Sequence, residues 1–109
     1  MADSPKVLAQ SNPASGTLTT LYTVPANRYA VCISIIVCNQ SSSTIHFRVS
    51  VAVAAAADTP AQYLYFDVVL TKNDTFIATI GVTLATTDVV RVQADSSQVS
   101  FNLFGVEVM

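Results

Sequence analysis

Ile45-His46-Phe47-Arg48-Val49-Ser50-Val51-Ala52-Val53-Ala54 has a period of two. Successive side chains of a strand point to opposite faces, so Phe47, Val49, Val51 and Val53 share one face and His46, Arg48 and Ser50 the other. The same period extends toward both ends of the chain. Leu64, Phe66, Val68 and Leu70 are expected to face a core, with Tyr63, Tyr65 and Asp67 facing away. Phe76, Ala78 and Ile80 fall together, as do Val99, Phe101 and Leu103. Gly105 then breaks the phase and Val106 and Val108 continue on the opposite parity, which predicts a bulge at Gly105. Tyr29 to Asn39 differs, because its β-branched face (Val31, Ile33, Ile35, Val37) backs onto a small, mostly apolar one (Ala30, Cys32, Ser34, Ile36, Cys38). Both faces read as buried, which suits a central strand or one covered by a neighbouring subunit.

Turn-forming clusters punctuate these runs, among them Ser11 to Gly16, Gln40 to Thr44 and Lys72-Asn73-Asp74. About eight strands result, near 6–10, 17–24, 29–39, 45–54, 63–70, 75–80, 89–94 and 99–108. That spacing predicts an all-β chain, a single antiparallel β-sandwich or jelly-roll-like domain. The alanine run after Val53 is too short for a stable helix and reads as a strand end entering a loop. Residues 1–16 read as an N-terminal arm with a first short strand, and 17–109 as the sandwich. The arm, Met1 to Gln10, is expected to reach onto a neighbour.

Of the 109 residues 51% are apolar and 11% charged, with 5 Lys+Arg against 7 Asp+Glu. Disorder needs the opposite balance, and nucleic-acid binding usually needs a basic excess. No apolar run approaches the ~20 residues of a membrane-spanning helix, and no secretory signal is visible, so synthesis in a cytoplasm is expected. The sequons at Asn39 and Asn73 are then accidental. A chain this small buries only about 65% of its unfolded surface. With so few charges the remainder calls for Ser, Thr, Asn and Gln, or for other subunits, so a homo-oligomer is expected.

Catalytic motifs are absent: there is no phosphate-binding glycine loop, no Gly-x-Ser-x-Gly and no His-Glu-x-x-His. His46 is the sole histidine and shares a polar strand face with Arg48. Cys32 and Cys38, six residues apart on one strand, would lie roughly 20 Å apart, beyond the ~7 Å reach of a disulfide. They read as buried apolar side chains or as subunit contacts, and neither zinc nor another cofactor is expected. Asp58, Asp74, Asp88 and Asp95 sit at turns, where Asp caps the local backbone. Tyr63 and Tyr65 beside Asp67 suit a subunit contact, a sugar platform or simply exposed amphipathic side chains. The candidate interface set is therefore Cys32, Cys38, His46, Arg48, Tyr63, Tyr65 and Asp67.

Leu21-Tyr22-Thr23-Val24-Pro25-Ala26-Asn27, the strand ending Val37-Cys38-Asn39, Tyr63-Leu64-Tyr65-Phe66-Asp67, Lys72-Asn73-Asp74-Thr75-Phe76 and Leu103-Phe104-Gly105-Val106-Glu107 together resemble small all-β structural proteins of tailed bacteriophages. The resemblance covers nearly the whole chain. It implies a non-enzymatic virion protein that decorates or reinforces the capsid, neck or tail. Its partners would be sister copies, as a trimer by analogy, and other particle proteins. A host-facing carbohydrate-binding module of the tail is the alternative.

Overall fold

A computed structural model describes residues 5–109. Eight strands follow one another: β1 (Lys6–Ser11), β2 (Thr19–Thr23), β3 (Tyr29–Asn39), β4 (Ile45–Ala52), β5 (Tyr63–Leu70), β6 (Thr75–Leu84), β7 (Val89–Ala94) and β8 (Val99–Val108). Sheet I has the order β1-β8-β3-β6 and sheet II the order β2-β7-β4-β5, with every pairing antiparallel. The topology follows from one ribbon. β4 pairs with β5, β3 with β6, β2 with β7 and β1 with β8, so a long double strand rolls around a core. This is the jelly-roll form of the sandwich, and the expected fold class is the one found. No helix among the described residues is long and apolar enough to cross a membrane.

Period two places the core. Ile35 and Val37 of β3, Phe47 and Val49 of β4, Val92 of β7 and Val99, Phe101 and Leu103 of β8 are all buried. Phe47 sits among Phe76 at 5.1 Å, Phe101 at 6.3 Å and Tyr65 at 6.5 Å between ring centroids, joining both sheets. Each such tilted pair adds about 0.5–1.5 kcal/mol beyond its burial. As expected, β3 is central, between β8 and β6. Its outward residues Val31, Ser34, Ile36 and Cys38 are half-buried in the single chain.

Rolling a ribbon requires curvature, and bulges supply it. Leu8 in β1, Leu21 in β2 and Ile33 in β3 are extra residues, the last facing Ile80 and Gly81 of β6. Four sequence expectations change, the first three through such bulges. β8 keeps its phase past Gly105, and the extra residues lie in its neighbours β1 and β3 at that level. Cys32 faces the core, while Cys38, beyond the Ile33 bulge, faces outward, so they do not share a face. β5 is bulged twice, at Leu64 and at Phe66–Asp67, and Tyr65 turns inward against Phe47 and Phe76. From Lys6 onward the arm is β1, the edge strand of sheet I paired with β8 of its own chain; Met1 to Ser4 lie outside the described residues.

β4 ends at Ala52, two residues before the expected strand end, and Val53–Ala55 form a short 3-10 turn. Ala54 and Ala55 are left-handed, φ 53° and 57°. The turn is held by Asp88 Oδ1, which accepts from the Ala54 amide at 2.9 Å, and by the Arg91 guanidinium on the carbonyls of Ala56 and Ala55. Val53 therefore leaves the inner face and is exposed.

Candidate functional site

The outer face of sheet II gathers four of the candidate residues. Alternation on β4 sends His46 and Arg48 outward, two residues apart. β7 brings Gln93, the turn after it Asp95, and the β5 bulge brings Asp67; together they line one open hollow. Asp95 accepts from the His46 amide at 2.8 Å and meets its Nδ1 at 3.0 Å. Partial burial pushes the Asp95 carboxyl up. The His46 amide and ring outweigh this, holding it below the ordinary carboxylate value. Arg48 donates from Nε and Nη2 to the two Asp67 oxygens at 2.6 and 3.2 Å. These bonds hold the exposed Asp67 carboxyl low.

Arg48 also lies 4.0 Å above the Phe66 ring centroid. Phe66 is 57% exposed and meets Tyr63 edge-on at 5.1 Å. Tyr63 in turn donates its hydroxyl to Asp58 at 2.9 Å. Arg48, Asp58, Thr59, Pro60, Tyr63 and Phe66 line a groove of about 480 Å³. The Tyr63–Tyr65 platform expected from strict alternation does not form, because the bulges place Phe66, not Tyr65, beside Tyr63.

The two cysteines lie elsewhere. Cys32 is a buried thiol of the core, and burial pushes it up to about 11, so little of it is thiolate near neutral pH. Cys38 sits on the outer face of sheet I, between Ser100 and Thr75 on the adjacent strands.

That outer face of sheet I carries no charge. Its rows, read from the register, are Val7-Phe104-Ser34-Thr79 and Gln10-Asn102-Ile36-Ile77, with Val106-Val31-Thr83 beyond them. The four strands of sheet I contain two charged residues, Lys6 and Glu107, and these pair at 2.8 Å. Glu107 keeps the inward parity of β8 and accepts from Tyr22 of the opposite sheet at 2.5 Å. Lys6 first and Tyr22 second hold the Glu107 carboxyl below its usual range, while burial and Glu107 raise the Tyr22 phenol well above its own. The charged strand side chains that point out from a sheet face thus belong to sheet II.

Two polar residues hold more of the structure than their sequence positions indicate. Asn39, read only as a sequon, is fully buried. Its Nδ2 donates to the carbonyls of Ser43, Leu70 and Thr71, and its Oδ1 accepts from Ser41. It ties the β3–β4 turn to the β5–β6 turn. Asp88 caps its own turn through the Ala85 amide, as a turn Asp should, but also reaches Ala54. Among the described residues no three His, Cys, Asp or Glu side chains cluster closely enough to hold a metal.

Comparison with protein-family models, with curated proteins and with solved structures finds no match to this chain.

Proposed function

We propose that this protein is a non-enzymatic structural subunit of a tailed-phage particle, made in the host cytoplasm. It would act as a symmetric homo-oligomer that decorates or reinforces capsid, neck or tail. One observation carries the reading: the whole outer face of sheet I is uncharged, and its apolar side chains are interleaved with Ser, Thr, Asn and Gln. Interface cores are depleted of charge in this way. Neighbours that bind only the folded chain add stability by mass action.

Mass spectrometry of purified particles tests the location, and sedimentation velocity at micromolar concentration tests the assembly. The expected results are presence in the particle and a species well above 11.6 kDa. A chain absent from particles, or a clean monomer, overturns the proposal.

The jelly roll serves lectin domains as well as capsids, and the fold does not choose between them. The groove at Tyr63 and Phe66 favours carbohydrate as the second reading. It pairs an exposed ring with Arg48 and Asp58, both already oriented by hydrogen bonds. A Tyr63→Ala/Phe66→Ala variant with unchanged host adsorption, together with a glycan array without hits, removes it.

A further inference from the structure

The sandwich has four edge strands, β1 and β6 in sheet I and β2 and β5 in sheet II. An open edge offers unpaired amides and carbonyls that another extended strand satisfies, so proteins blunt their edges with charge, proline, bulges or short strands. Three of these edges are blunted. β5 is bulged twice and carries Asp67; β2 has five residues and a bulge at Leu21; β1 has six, begins at Lys6 and is bulged at Leu8. β6 is the exception over Thr75 to Thr79, its own irregularity at Ile80 and Gly81 lying beyond that run. Its ten residues, Thr-Phe-Ile-Ala-Thr-Ile-Gly-Val-Thr-Leu, include no charge and no proline. From Thr75 to Thr79 it runs without a register shift against Cys38 to Ser34. Ile77 stands 68% exposed on its outer side.

We propose that β6 is a self-pairing edge: two copies of the chain join antiparallel along Thr75 to Thr79 about a two-fold axis, fusing their sheets I into one eight-stranded sheet. The proposal rests on the homo-oligomer reading and specifies its contact. A two-fold contact sets the same patch against itself, so the patch must be self-complementary, and an uncharged strand meets its own copy without repulsion. With the axis at Ile77, Thr75 lies across from Thr79 and Phe76 from Ala78. Threonine pairs and apolar pairs both stabilise antiparallel strands. In that register Asp74, just before the strand, falls toward Ile80 of the other copy, and Lys72 lies in the turn beyond it, so no like charges are set opposite each other within the paired run. The uncharged outer face continues unbroken across the axis.

Four measurements on the full chain test this. Sedimentation gives the assembly state. Hydrogen exchange reads the β6 amides as concentration changes. An Ile77→Lys/Thr79→Lys variant sets like charges against each other at exposed positions, where the monomer fold tolerates them. The expected results are an even-numbered assembly, β6 amides protected only when it forms, and self-association at least about tenfold weaker in the variant, since opposed like charges destabilise a strand pair, with unchanged circular dichroism. An Ile77→Cys/Cys38→Ser variant should form a disulfide-linked dimer on mild oxidation, because directly opposed strand residues lie within the ~4.4–6.8 Å Cα range of a disulfide. An assembly that survives the lysines with β6 amides still exchanging freely overturns the β6 contact but leaves the oligomer reading standing. So does protection that arises only when another particle protein is added. A wild-type monomer at every concentration overturns both.

Discussion

Gly105 shows what one residue contributes to closing sheet I. A Cβ placed there would run into the Val31 carbonyl oxygen and lie 2.9 Å from Leu8 Cδ1, because the bulges of β1 and β3 press both neighbours against β8 at this level. Overpacking against backbone has no flexible side chain to yield, so Gly105→Ala is expected to lower the unfolding free energy by about 3 kcal/mol, read from urea titration. Gly81→Ala meets open space at φ 56° and should cost only about 1–2 kcal/mol for the left-handed backbone. Glu107 makes the second residue-scale case. Lys6 and Tyr22 depress its folded-state pKa below the ordinary 4.5, so its contribution is fully present above that value and is lost as pH falls through the folded pKa. Unfolding free energy followed from neutral pH into acid should therefore drop below about pH 4.5, and Glu107→Gln should flatten that limb. An acid limb unchanged in the variant would assign it to other carboxylates, Asp95 and Asp67 first.

At the scale of the element, β5 shows how far a sequence can be read. Inner positions on β4 as far as Val51, on β6, and on β8 as far as Leu103 are legible because polar and apolar residues alternate there, and the hydrophobic effect then fixes which face turns inward. The turns were legible from their Asp, Asn, Pro and Gly residues. Tyr-Leu-Tyr-Phe-Asp-Val-Val-Leu has one polar residue in eight, so both phases bury apolar surface and the pattern cannot choose between them. The rolled sheet chooses: bulges at Leu64 and Asp67 turn Tyr65 in and Phe66 out. Alternation therefore puts His46, Arg48, Asp67 and Tyr63 on the outer surface, where they lie, but also turns Tyr65 out and Phe66 in, the reverse of what the bulges do. The one available signal was Asp67 itself, since Asp tolerates a positive φ better than most residues. Its φ is 53°, so Asp67→Val forces a β-branched residue into left-handed backbone and removes the Arg48 pair. The backbone cost alone is roughly 1–3 kcal/mol, whereas Asp67→Asn, which keeps the backbone preference and loses only an exposed ion pair, should unfold close to the parent chain. Equal losses in the two variants, measured by thermal and urea unfolding, would place the energy in the ion pair and not in the bulge.

For the molecule as a whole, the nested pairing decides which segment can be removed. β1 and β8 form the outermost layer of the rolled ribbon, so cutting β1 away breaks no inner pair. It does strip Leu8 and Ala9 from the core, leave Glu107 without Lys6 and open β8, which is otherwise paired on both sides. One buried Leu contributes about 1.5–3 kcal/mol and each lost hydrogen bond about 1 kcal/mol net. A domain of this size holds only about 5–15 kcal/mol in total. Deleting residues 1–11 should therefore cost about 4 kcal/mol or more, leaving a chain that is marginal at room temperature and prone to aggregate through its new edge. Deleting residues 1–5, which leaves all of β1 in place, supplies the reference. The comparison separates a strand of the chain's own fold from an arm that serves only a neighbour. A 1–11 deletion that keeps full monomer stability and loses only self-association would return β1 to the role of an exchanged arm.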